Sequence, residues 1–209
     1  MKVGILDYGV GNLGSLFRCL SRTTATPIII NNPRGLYEVD KYILPGVGSF
    51  AKCKALLDQG EWTQAIKNAL NDPGKSLLGI CLGMQLLADV GYEGTDNNQG
   101  TPGLQLIPGR VCHISSLGCN LLDQHIGWND VRIQQSTQLL NHVGNSTDFY
   151  FAHSYAFEAT VLADVVATVN YGAAIAAVVQ RKNVMGVQFH PEKSSVAGLR
   201  LLQNYVGEL

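Results

Sequence analysis

Short apolar runs alternate with helix-like segments through the first half of the sequence, and this alternation restricts the possible folds more than any other feature. Trp62, Ile66 and Ala69, for example, share one face of a predicted helix. Four of the apolar runs predict buried strands: residues 2–8 (KVGILDY), 27–31 (PIIIN), 40–46 (DKYILPG) and 75–81 (KSLLGIC). Strands that alternate with helices pair in parallel through right-handed crossovers. The sequence therefore predicts an α/β fold with a mostly parallel sheet.

The second half of the sequence has a different pattern. From about residue 105, strand-like segments follow one another with short turns and little helix between them. In chain order these segments are LQLIPGRVCHI, IGWNDVRI, DFYFAHSYAF, DVVATVNYG, AAIAAVVQR and VMGVQFH. Short turns favour antiparallel pairing, so we expect this half to form a mixed or antiparallel extension of the sheet.

Three helices are predicted from signals at their ends. Asn12 or Ser15 is expected to cap a helix that runs to about Thr24, and GMQLLADV continues as a helix after residue 81. Ser194 or Ser195 is expected to cap a last helix that reaches residue 206. The inner stripe of that last helix is predicted to consist of Leu199, Leu202 and Val206. Because no repeat or linker interrupts the chain, we expect one domain over residues 1–209.

Charge and composition argue against several classes of function. The formal net charge is −1 and no run of like charges occurs, so we expect no nucleic-acid partner and no anionic membrane surface. The longest apolar run, residues 173–179, is far shorter than a membrane span, and the N-terminal segment does not fit a signal peptide. We therefore expect a cytoplasmic protein.

Two further features of composition bear on partners and metals. Only 15% of the residues are charged, which a large buried sheet or a face covered by a partner would explain. The five cysteines form no CxxC pair and no zinc-binding pattern, so we expect free thiols and no metal site.

The segment GVGNLG matches the outline of a dinucleotide-binding loop, with glycines at positions 9, 11 and 14. That loop also needs an acidic residue at the end of the second strand to bind the ribose hydroxyls. Asn31 and Asn32 stand there instead. The sequence therefore favours a tight turn over a nucleotide site.

Cys81 lies between two glycines, Gly79 and Gly83, after an apolar run and before a helical pattern. This spacing resembles a nucleophile elbow with cysteine in place of serine. A helix that begins at Leu82 would direct its N-terminus towards the sulfur and favour a thiolate, and the N–H of Leu82 would face an oxyanion. A buried core cysteine is the other interpretation of this stretch, because free cysteine is among the most buried residue types. The stretch alone leaves both open.

The later segment GVQFHPEKS supplies partners for a nucleophile. His190 and Glu192 are two positions apart at a predicted strand end, so their side chains leave an extended chain on the same side. Glu192 can then accept the imidazole N–H and fix the tautomer of a general base. The other cysteines and histidines lack such a context, and we interpret them as structural or incidental: Cys19, Cys53, Cys112, Cys119, His113, His125 and His142.

Three segments together resemble the signatures of the class I, triad-type glutamine amidotransferases: PGVGSF, GICLGMQLL and GVQFHPEKS. DYGVGNLGS, IPGRV, IGWND and YFAHSY are similar to the glutaminase subunits of imidazole glycerol phosphate synthases, from histidine biosynthesis. The resemblance covers residues 5–205 and implies a three-layer, flavodoxin-like fold with helices on both faces of a mixed, mostly parallel sheet. It implies no cofactor and no metal.

The resemblance implies a role for each residue that matches the family pattern. Cys81 would attack the side-chain amide of glutamine, form a γ-glutamyl thioester and release ammonia. His190 would act as base and then as acid, and Glu192 would orient it.

The same resemblance implies a substrate pocket. Val47 would supply a second oxyanion N–H after a peptide reorientation that Gly46 and Gly48 make easy. Three further residues would hold the amino-acid end of glutamine: Gln85, Ser154 and Tyr155.

A partner is implied as well, because nothing in the sequence offers a second catalytic site. In the family the partner is a (β/α)8 cyclase subunit, which forms a heterodimer with the glutaminase and receives the ammonia. The residues implied to face it are Asn12, Trp128, Asn129, Tyr155 and Lys193.

Departures from the family pattern leave an alternative partner open. Gln124 stands where proline is usual, and Gly14 stands where a larger residue is common. A paralogous branch of the family supplies ammonia to an enzyme that aminates nucleotide sugars for surface polysaccharide, and the variants GNLGS and HIGWND resemble that branch.

Two alternatives belong to other classes of function. A cysteine hydrolase of another kind would act on esters or peptides, but Gln85 and the segment HSY argue against it. A non-catalytic regulatory subunit would have lost part of the triad, whereas Cys81, His190 and Glu192 are all present.

Overall fold

The computed structural model describes residues 1–95 and 99–207, so the expected single domain over 1–209 includes 96–98 and 208–209, which lie outside the described residues. Within the described part, a nine-stranded sheet has the order β2-β1-β3-β4-β13-β12-β11-β8-β9. Its strands are β1 (Lys2–Leu6), β2 (Thr26–Ile30), β3 (Lys41–Leu44), β4 (Ser76–Ile80), β8 (His125–Ile133), β9 (Thr147–His153), β11 (Val165–Asn170), β12 (Ala174–Arg181) and β13 (Val184–Val187).

The pairing of these strands follows the change in the sequence pattern. The five strands from β2 to β13 pair in parallel, and the remaining strands pair antiparallel through β12, β11, β8 and β9. The expected antiparallel extension is thus part of the central sheet. β13 is the last strand in the chain, yet it lies beside β4, so late residues reach the centre of the parallel half.

Helices cover both faces of the parallel half, and the alternation of strand side chains explains why. The helices are α1 (Leu13–Leu20), α2 (Phe50–Gln59), α3 (Trp62–Ala69), α4 (Leu82–Gln85) and α5 (Ser195–Val206). On β3, Ile43 packs in one core cluster with α1 and α5, whereas Tyr42 and Leu44 pack in the other with α2 and α3. This is the three-layer arrangement of the predicted α/β class.

A second, four-stranded sheet was not expected from the sequence. Its order is β10-β7-β5-β6, and its strands are β5 (Val90–Gly91), β6 (Thr101–Pro102), β7 (Gly109–His113) and β10 (Tyr155–Ala159). The segment DFYFAHSYAF therefore does not form one strand of an extended sheet, because the chain bends at Ser154 and β10 pairs with β7. Its apolar residues continue across the bend, so the pattern carries no sign of the break.

Two predicted helices are too long. α1 ends at Leu20 rather than near Thr24, because Ser21 Oγ donates to the carbonyl of Phe17 and Thr23 Oγ1 donates to that of Leu20. α4 ends after one turn, at Gln85. The carbonyl of Leu86 instead accepts from the N–H of Leu104, at 2.8 Å, in a later segment of the chain. Tertiary hydrogen bonds thus end α4 where the apolar pattern would continue it.

The last helix also differs in detail from the prediction. Leu199 is only half-buried, and the inner face is completed by Leu201 and Tyr205, which are 0% and 2% exposed. Ser194 stands at the N-cap position, but its side chain makes no capping hydrogen bond. Among the described residues, no helix has the length and apolar character needed to cross a membrane.

Candidate active site

Three neighbouring parallel strands end at the same edge of the sheet, and each is followed by a predicted site segment. β3 leads into Pro45–Gly48, β4 into Cys81, and β13 into the segment that carries His190 and Glu192. Because β3, β4 and β13 are adjacent and parallel, their carboxyl ends bring these segments together. The edge of an open α/β sheet at which its strands end is the usual place for a ligand.

Cys81 occupies a sharp strand-to-helix junction. Its backbone angles are φ 54° and ψ −111°, outside the regions that L-residues prefer. The flanking glycines permit this junction. A Cβ on Gly79 would lie 2.5 Å from the carbonyl oxygen of Gly83, and a Cβ on Gly83 would collide with the carbonyl oxygen of Leu44. The structure thus has the strand–cysteine–helix geometry that the glycine spacing predicted.

His190 and Glu192 form a buried pair beside Cys81. Nδ1 of His190 lies 2.9 Å from Oε1 of Glu192, and the two side chains are only 8% and 4% exposed. Burial alone lowers the pKa of His190. Hydrogen bonds with Cys81 and Glu192 outweigh burial and raise this pKa to about 9. Glu192 therefore stabilises a proton on the imidazole ring.

The segment that carries His190 is hydrogen-bonded to β9 at Tyr150. The N–H of His190 donates to the carbonyl of Tyr150 at 2.9 Å, and the N–H of Tyr150 donates to Oγ of Ser194 at 3.0 Å. Oγ of Ser194 in turn donates to the carbonyl of His190 at 2.6 Å. Ser194, predicted as a helix cap, instead closes this ring of hydrogen bonds and fixes the base.

A small cavity of about 210 Å³ opens beside Cys81 and His190. The predicted pocket residues that line it are Val47, Gly48, Leu82, Gln85, Ser154 and Tyr155. Gly46 lies behind this wall, where a Cβ would come within 2.8 Å of the backbone nitrogen of Gly83. The structure therefore brings the predicted substrate-binding residues together around one space.

Besides His153, which also lines the cavity, two polar residues of the site were missed by the sequence reasoning. Gln188 is fully buried. It accepts a hydrogen bond from Nε2 of Gln85 at 3.1 Å, and its own Nε2 lies 3.8 Å from Sγ of Cys81. Glu93 lines the cavity, and its Oε2 accepts from the N–H of Phe50 at 3.0 Å. Burial raises the pKa of Glu93. Neither residue belongs to a recognisable spacing, since their contacts connect distant parts of the chain.

Two buried side chains donate hydrogen bonds to carbonyl groups of the loop after β3. The hydroxyl of Tyr8 donates to the carbonyl of Pro45 at 2.7 Å, and Sγ of Cys53 donates to the carbonyl of Val47 at 3.4 Å. These contacts fix the peptides on either side of the Gly46–Val47 peptide. Cys53, interpreted from sequence as structural or incidental, thus has a structural role in supporting the cavity wall.

Of the residues predicted to face a partner, Tyr155 and Lys193 line the cavity, and Lys193 shares a neighbour with Trp128. Trp128 is 54% exposed and makes an edge contact with Tyr150, at 6.1 Å between ring centroids. The ammonium of exposed Lys193 lies over the same tyrosine ring, 5.6 Å from its centroid. Tyr150, which the sequence analysis did not single out, connects these two side chains.

The remaining predicted partner residues have other surroundings. Asn12 is exposed, caps α1 through the N–H of Ser15 at 3.4 Å, and lines a cavity of about 30 Å³ together with His190 and Glu192. Asn129 is half-buried and does not line the cavity. Its side chain forms a hydrogen bond with His125. Tyr155 belongs to the cavity wall itself.

A larger groove of about 610 Å³ lies elsewhere, between Phe157 and Val165. Its lining includes Glu158 but no histidine or cysteine, so it offers neither a thiol nucleophile nor an imidazole base. Among the described residues, no group of three or more His, Cys, Asp or Glu side chains is placed to hold a metal ion. The chemistry available in the described structure therefore centres on Cys81.

Comparison with known families agrees with this geometry. A model of the family described as glutamine amidotransferase class-I matches residues 4–208. The chain belongs to this family of enzymes, and the predicted fold class is confirmed.

Relatives within the family are more specific. The imidazole glycerol phosphate synthase subunit HisH of Halalkalibacterium halodurans is 40% identical over 206 residues, which cover 97% of this chain and 94% of that protein. Subunit HisH 1 of Prochlorococcus marinus is 41% identical over 208 residues, covering 97% and 95%. The structure of PurLQS from Thermotoga maritima is similar in fold, with a TM-score of 0.77 at 18% identity over 99% of this chain and 98% of that chain.

Proposed function

We propose that this chain is the glutaminase subunit of an imidazole glycerol phosphate synthase. It hydrolyses glutamine and delivers the ammonia to a cyclase subunit in histidine biosynthesis. The observation that carries the proposal is the meeting of Cys81, His190 and Glu192 beside one small cavity at the ends of adjacent parallel strands. The relatives named as subunits of this synthase, 40% and 41% identical over nearly the whole chain, support it.

The first half-reaction is attack of Sγ of Cys81 on the side-chain carbonyl carbon of glutamine. His190 holds the thiol proton, and Glu192 stabilises the imidazolium through the 2.9 Å contact at Nδ1. Collapse of the tetrahedral intermediate breaks the C–N bond. The proton on His190 goes to the leaving nitrogen, and ammonia and a γ-glutamyl thioester result.

The second half-reaction returns the enzyme to its starting state. His190 takes a proton from water, the hydroxide attacks the thioester carbon, and the C–S bond breaks. Glutamate leaves and Cys81 regains its proton, so the sum is glutamine plus water giving glutamate plus ammonia. Both tetrahedral oxyanions need N–H donors, and we assign these to Leu82 and to Val47 after rotation of the Gly46–Val47 peptide.

Glutamine recognition is assigned to the wall of the cavity. Gln85, Ser154 and Tyr155 surround its amino-acid end, and Glu93 supplies a negative charge for the ammonium group. Ion pairing with that ammonium opposes the rise that burial causes in the pKa of Glu93.

The ammonia acceptor belongs to another chain in this proposal. A (β/α)8 cyclase subunit forms a heterodimer with this chain in the cytoplasm. It docks on the surface that carries Asn12, Trp128, Asn129, Tyr155 and Lys193. The exposed indole of Trp128 and the exposed ammonium of Lys193 give this surface an apolar and a charged contact beside the cavity.

The test is glutamate release from glutamine, measured for the chain alone and then with a histidine-pathway cyclase subunit and its ribulosyl ligand. We expect strong stimulation by the loaded cyclase and its loss in Cys81→Ala. Cys119→Ala is the matched control. Its thiol is also buried but lies outside the cavity, and we expect this variant to keep the stimulation.

Each other outcome contradicts a different part of the proposal. Glutamate release that survives Cys81→Ala would exclude the thioester mechanism. A folded, weakly active chain that no histidine-pathway cyclase stimulates would contradict the pathway and favour the nucleotide-sugar branch. Hydrolysis of esters without any release from glutamine would identify a different cysteine hydrolase.

A further inference from the structure

Two buried histidines, His125 and His153, lie opposite each other on neighbouring strands and take no part in the mechanism above. They are cross-strand partners on β8 and β9. Nδ1 of His125 lies 3.1 Å from Nε2 of His153, and the two residues are 2% and 8% exposed. Paired imidazoles without a carboxylate are costly to bury unless each nitrogen has a suitable partner.

The surrounding groups fix which nitrogen carries each proton. Nδ1 of His153 lies 2.9 Å from the carbonyl of Tyr155, which can only accept, so this nitrogen donates and Nε2 accepts. His125 must then donate from Nδ1, which leaves its Nε2 to accept from Nδ2 of Asn129 at 3.2 Å. The amide of Asn129 is oriented as well, because its Oδ1 accepts from the N–H of Asp130 at 2.9 Å.

Packing keeps both rings neutral and in place. His125 is stacked between Phe151 and Tyr171, with centroid distances of 4.5 and 4.2 Å. Burial lowers the pKa of His125 to about 4 and that of His153 to about 3, and the neighbouring His125 and His190 also disfavour charge on His153. The pair is therefore uncharged near pH 7, with one direction of hydrogen bonding.

The inner end of this chain of bonds reaches the cavity and the nucleophile. The carbonyl of Tyr155 also accepts from Nε2 of Gln85 at 2.7 Å, and Gln85 continues to Gln188, which lies beside Cys81. Ser154 and Tyr155, between the two contacts, form part of the cavity wall. The hydrogen bond from His153 therefore holds this wall together with the backbone bond from the N–H of Ile114 to the carbonyl of Ser154, at 2.9 Å.

The outer end of this chain of bonds is the half-buried amide of Asn129. Asn129 follows Trp128 in β8, and its Nδ2 also donates to the carbonyl of Asn170 at 3.0 Å. A contact that moves the Asn129 amide changes the hydrogen bond that this amide donates to His125. The change can then pass through the hydrogen bond from His125 to His153.

We propose that His125 and His153 are positioning residues that form a directional hydrogen-bond relay, joining the surface at Asn129 to the glutamine-binding wall at Ser154 and Tyr155. The relay gives a partner docked at Asn129 a physical connection to the pocket. The coupling to a partner rests on the proposed function, whereas the relay itself does not.

The relay is tested first by the tautomers, without any activity measurement. Long-range ¹H–¹⁵N spectra of the full chain labelled at histidine should show both residues as the neutral Nδ1–H tautomer at pH 6 to 7. This is the minor form of a free imidazole. An Nε2–H tautomer of His153, or a charged ring at His125 in this range, would overturn the proposal.

The coupling is tested by two substitutions that each keep one half of the relay. In His125→Asn, Nδ2 takes the place of ring Nδ1, so the bond to His153 is kept and the bond to Asn129 is lost. In His125→Gln, Oε1 takes the place of ring Nε2, so Asn129 is still bound and His153 is not. His142→Asn is the control, because His142 is exposed and lines a different pocket, to which none of the relay residues contributes.

We expect His125→Asn to lower the stimulation by the loaded cyclase roughly five- to tenfold, the effect of one neutral hydrogen bond. His125→Gln should in addition raise KM for glutamine by a similar factor, because His153 loses the donor that fixes its tautomer and hence its hydrogen bond to the carbonyl of Tyr155. Wild-type stimulation and KM in both folded variants would overturn the coupling. Absence of stimulation in the wild type would instead contradict the proposed function, and the tautomers would then decide on the relay alone.

Discussion

Cys81 combines a buried side chain with a backbone conformation that L-residues avoid. Its φ of 54° and ψ of −111° place strain at the junction between β4 and α4, of the kind that costs roughly 1–3 kcal/mol. Glycine adopts such angles readily, whereas alanine does not. At position 81 glycine should thus be more favourable than alanine, whereas at an ordinary helix or strand position it is less favourable.

We therefore expect Cys81→Gly to be more stable than Cys81→Ala by about 1 kcal/mol, although glycine normally costs about that much relative to alanine. The measurement is the free energy of unfolding from urea titrations of the two variants, both of which lack the thiol. Equal stabilities, or a more stable alanine variant, would show that the junction is not strained.

The pair of His190 and Glu192 makes a pH-dependent contribution to the free energy of unfolding. The pKa of His190 in the folded protein, about 9, lies above the ordinary value of 6.5. Between about pH 6.5 and 9 the unfolded chain therefore binds fewer protons at this residue than the folded protein does. The stabilisation is therefore complete below about pH 6.5 and is lost as the pH rises through about 9.

Glu192→Gln keeps an acceptor for Nδ1 but removes the negative charge. We expect the pKa of His190 to fall, the alkaline loss of stability to become smaller and to end at lower pH, and kcat to drop roughly 10²- to 10⁴-fold. NMR titration of the His190 ring measures the pKa directly. Glu158→Gln is the control, since Glu158 pairs with Arg110 on the surface, and its loss should leave His190 unchanged. An unchanged pKa in Glu192→Gln would refute the assigned cause.

At the scale of elements, close packing of α4 on the sheet positions the nucleophile. α4 has only four residues, so it does not depend on its own helical stability but on contact with β3 and β4. Gly83 faces the carbonyl of Leu44 at a distance that leaves no room for a methyl group. The elbow can exist only while this position lacks a side chain.

A matched pair of glycine substitutions tests this statement. Gly83→Ala should destabilise the protein by roughly 1–3 kcal/mol or more, because the backbone must shift. Gly14→Ala should stabilise it by about 0.5–1 kcal/mol, since Gly14 is exposed in α1 and a Cβ there would meet only the side chain of Arg18, at 3.5 Å. Unfolding titrations give both values, and effects of the same sign would contradict the packing argument.

The sequence predicted elements whose signals are local and missed those that depend on pairing. The strand–helix alternation and the glycines around Cys81 gave the sheet and the elbow, because backbone periodicity and steric limits act over a few residues. The second sheet was missed, since the bend at Ser154 leaves the apolar pattern continuous. The length of α4 was wrong because the bonds that end it come from Leu104.

The same limit applies to the site. His190 and Glu192 were found because they are two residues apart in the chain. His125 and His153 are 28 residues apart and become neighbours only through the register of β8 and β9. Gln188 and Gln85, which meet beside Cys81, are 103 apart. Such pairs leave no spacing that a single sequence can reveal.

At the scale of the whole molecule, the apolar residues that accompany the low charge content fall into two groups. Most apolar residues are buried in the two core clusters on either side of the sheet. A smaller group stays on the surface near the start of β8: Leu121, Leu122, Ile126 and Trp128 are 54–71% exposed. Exposed apolar groups of this size are typical of a surface that a partner covers.

Trp128→Ala tests whether this surface binds the partner. We expect the Kd for the cyclase subunit to rise at least about tenfold, because a large exposed indole at an interface commonly contributes more than 1 kcal/mol. The free energy of unfolding should change by no more than about 0.5 kcal/mol, as is usual for a surface position. Calorimetric titration of the full chain with the cyclase subunit gives the first value, and urea unfolding gives the second.

Leu162→Ala is the matched control for the same titration. Leu162 is 82% exposed, and its segment is bound by Gln135, beyond the end of β8 at Ile133 and away from Trp128. Removing its side chain deletes a similar exposed apolar group but should leave the Kd unchanged. Equal losses of affinity in the two variants would indicate that the cyclase covers a different or wider surface. Unchanged affinity in Trp128→Ala would remove the indole from the interface, and the effect of His125→Asn would then need another route from the partner to the cavity.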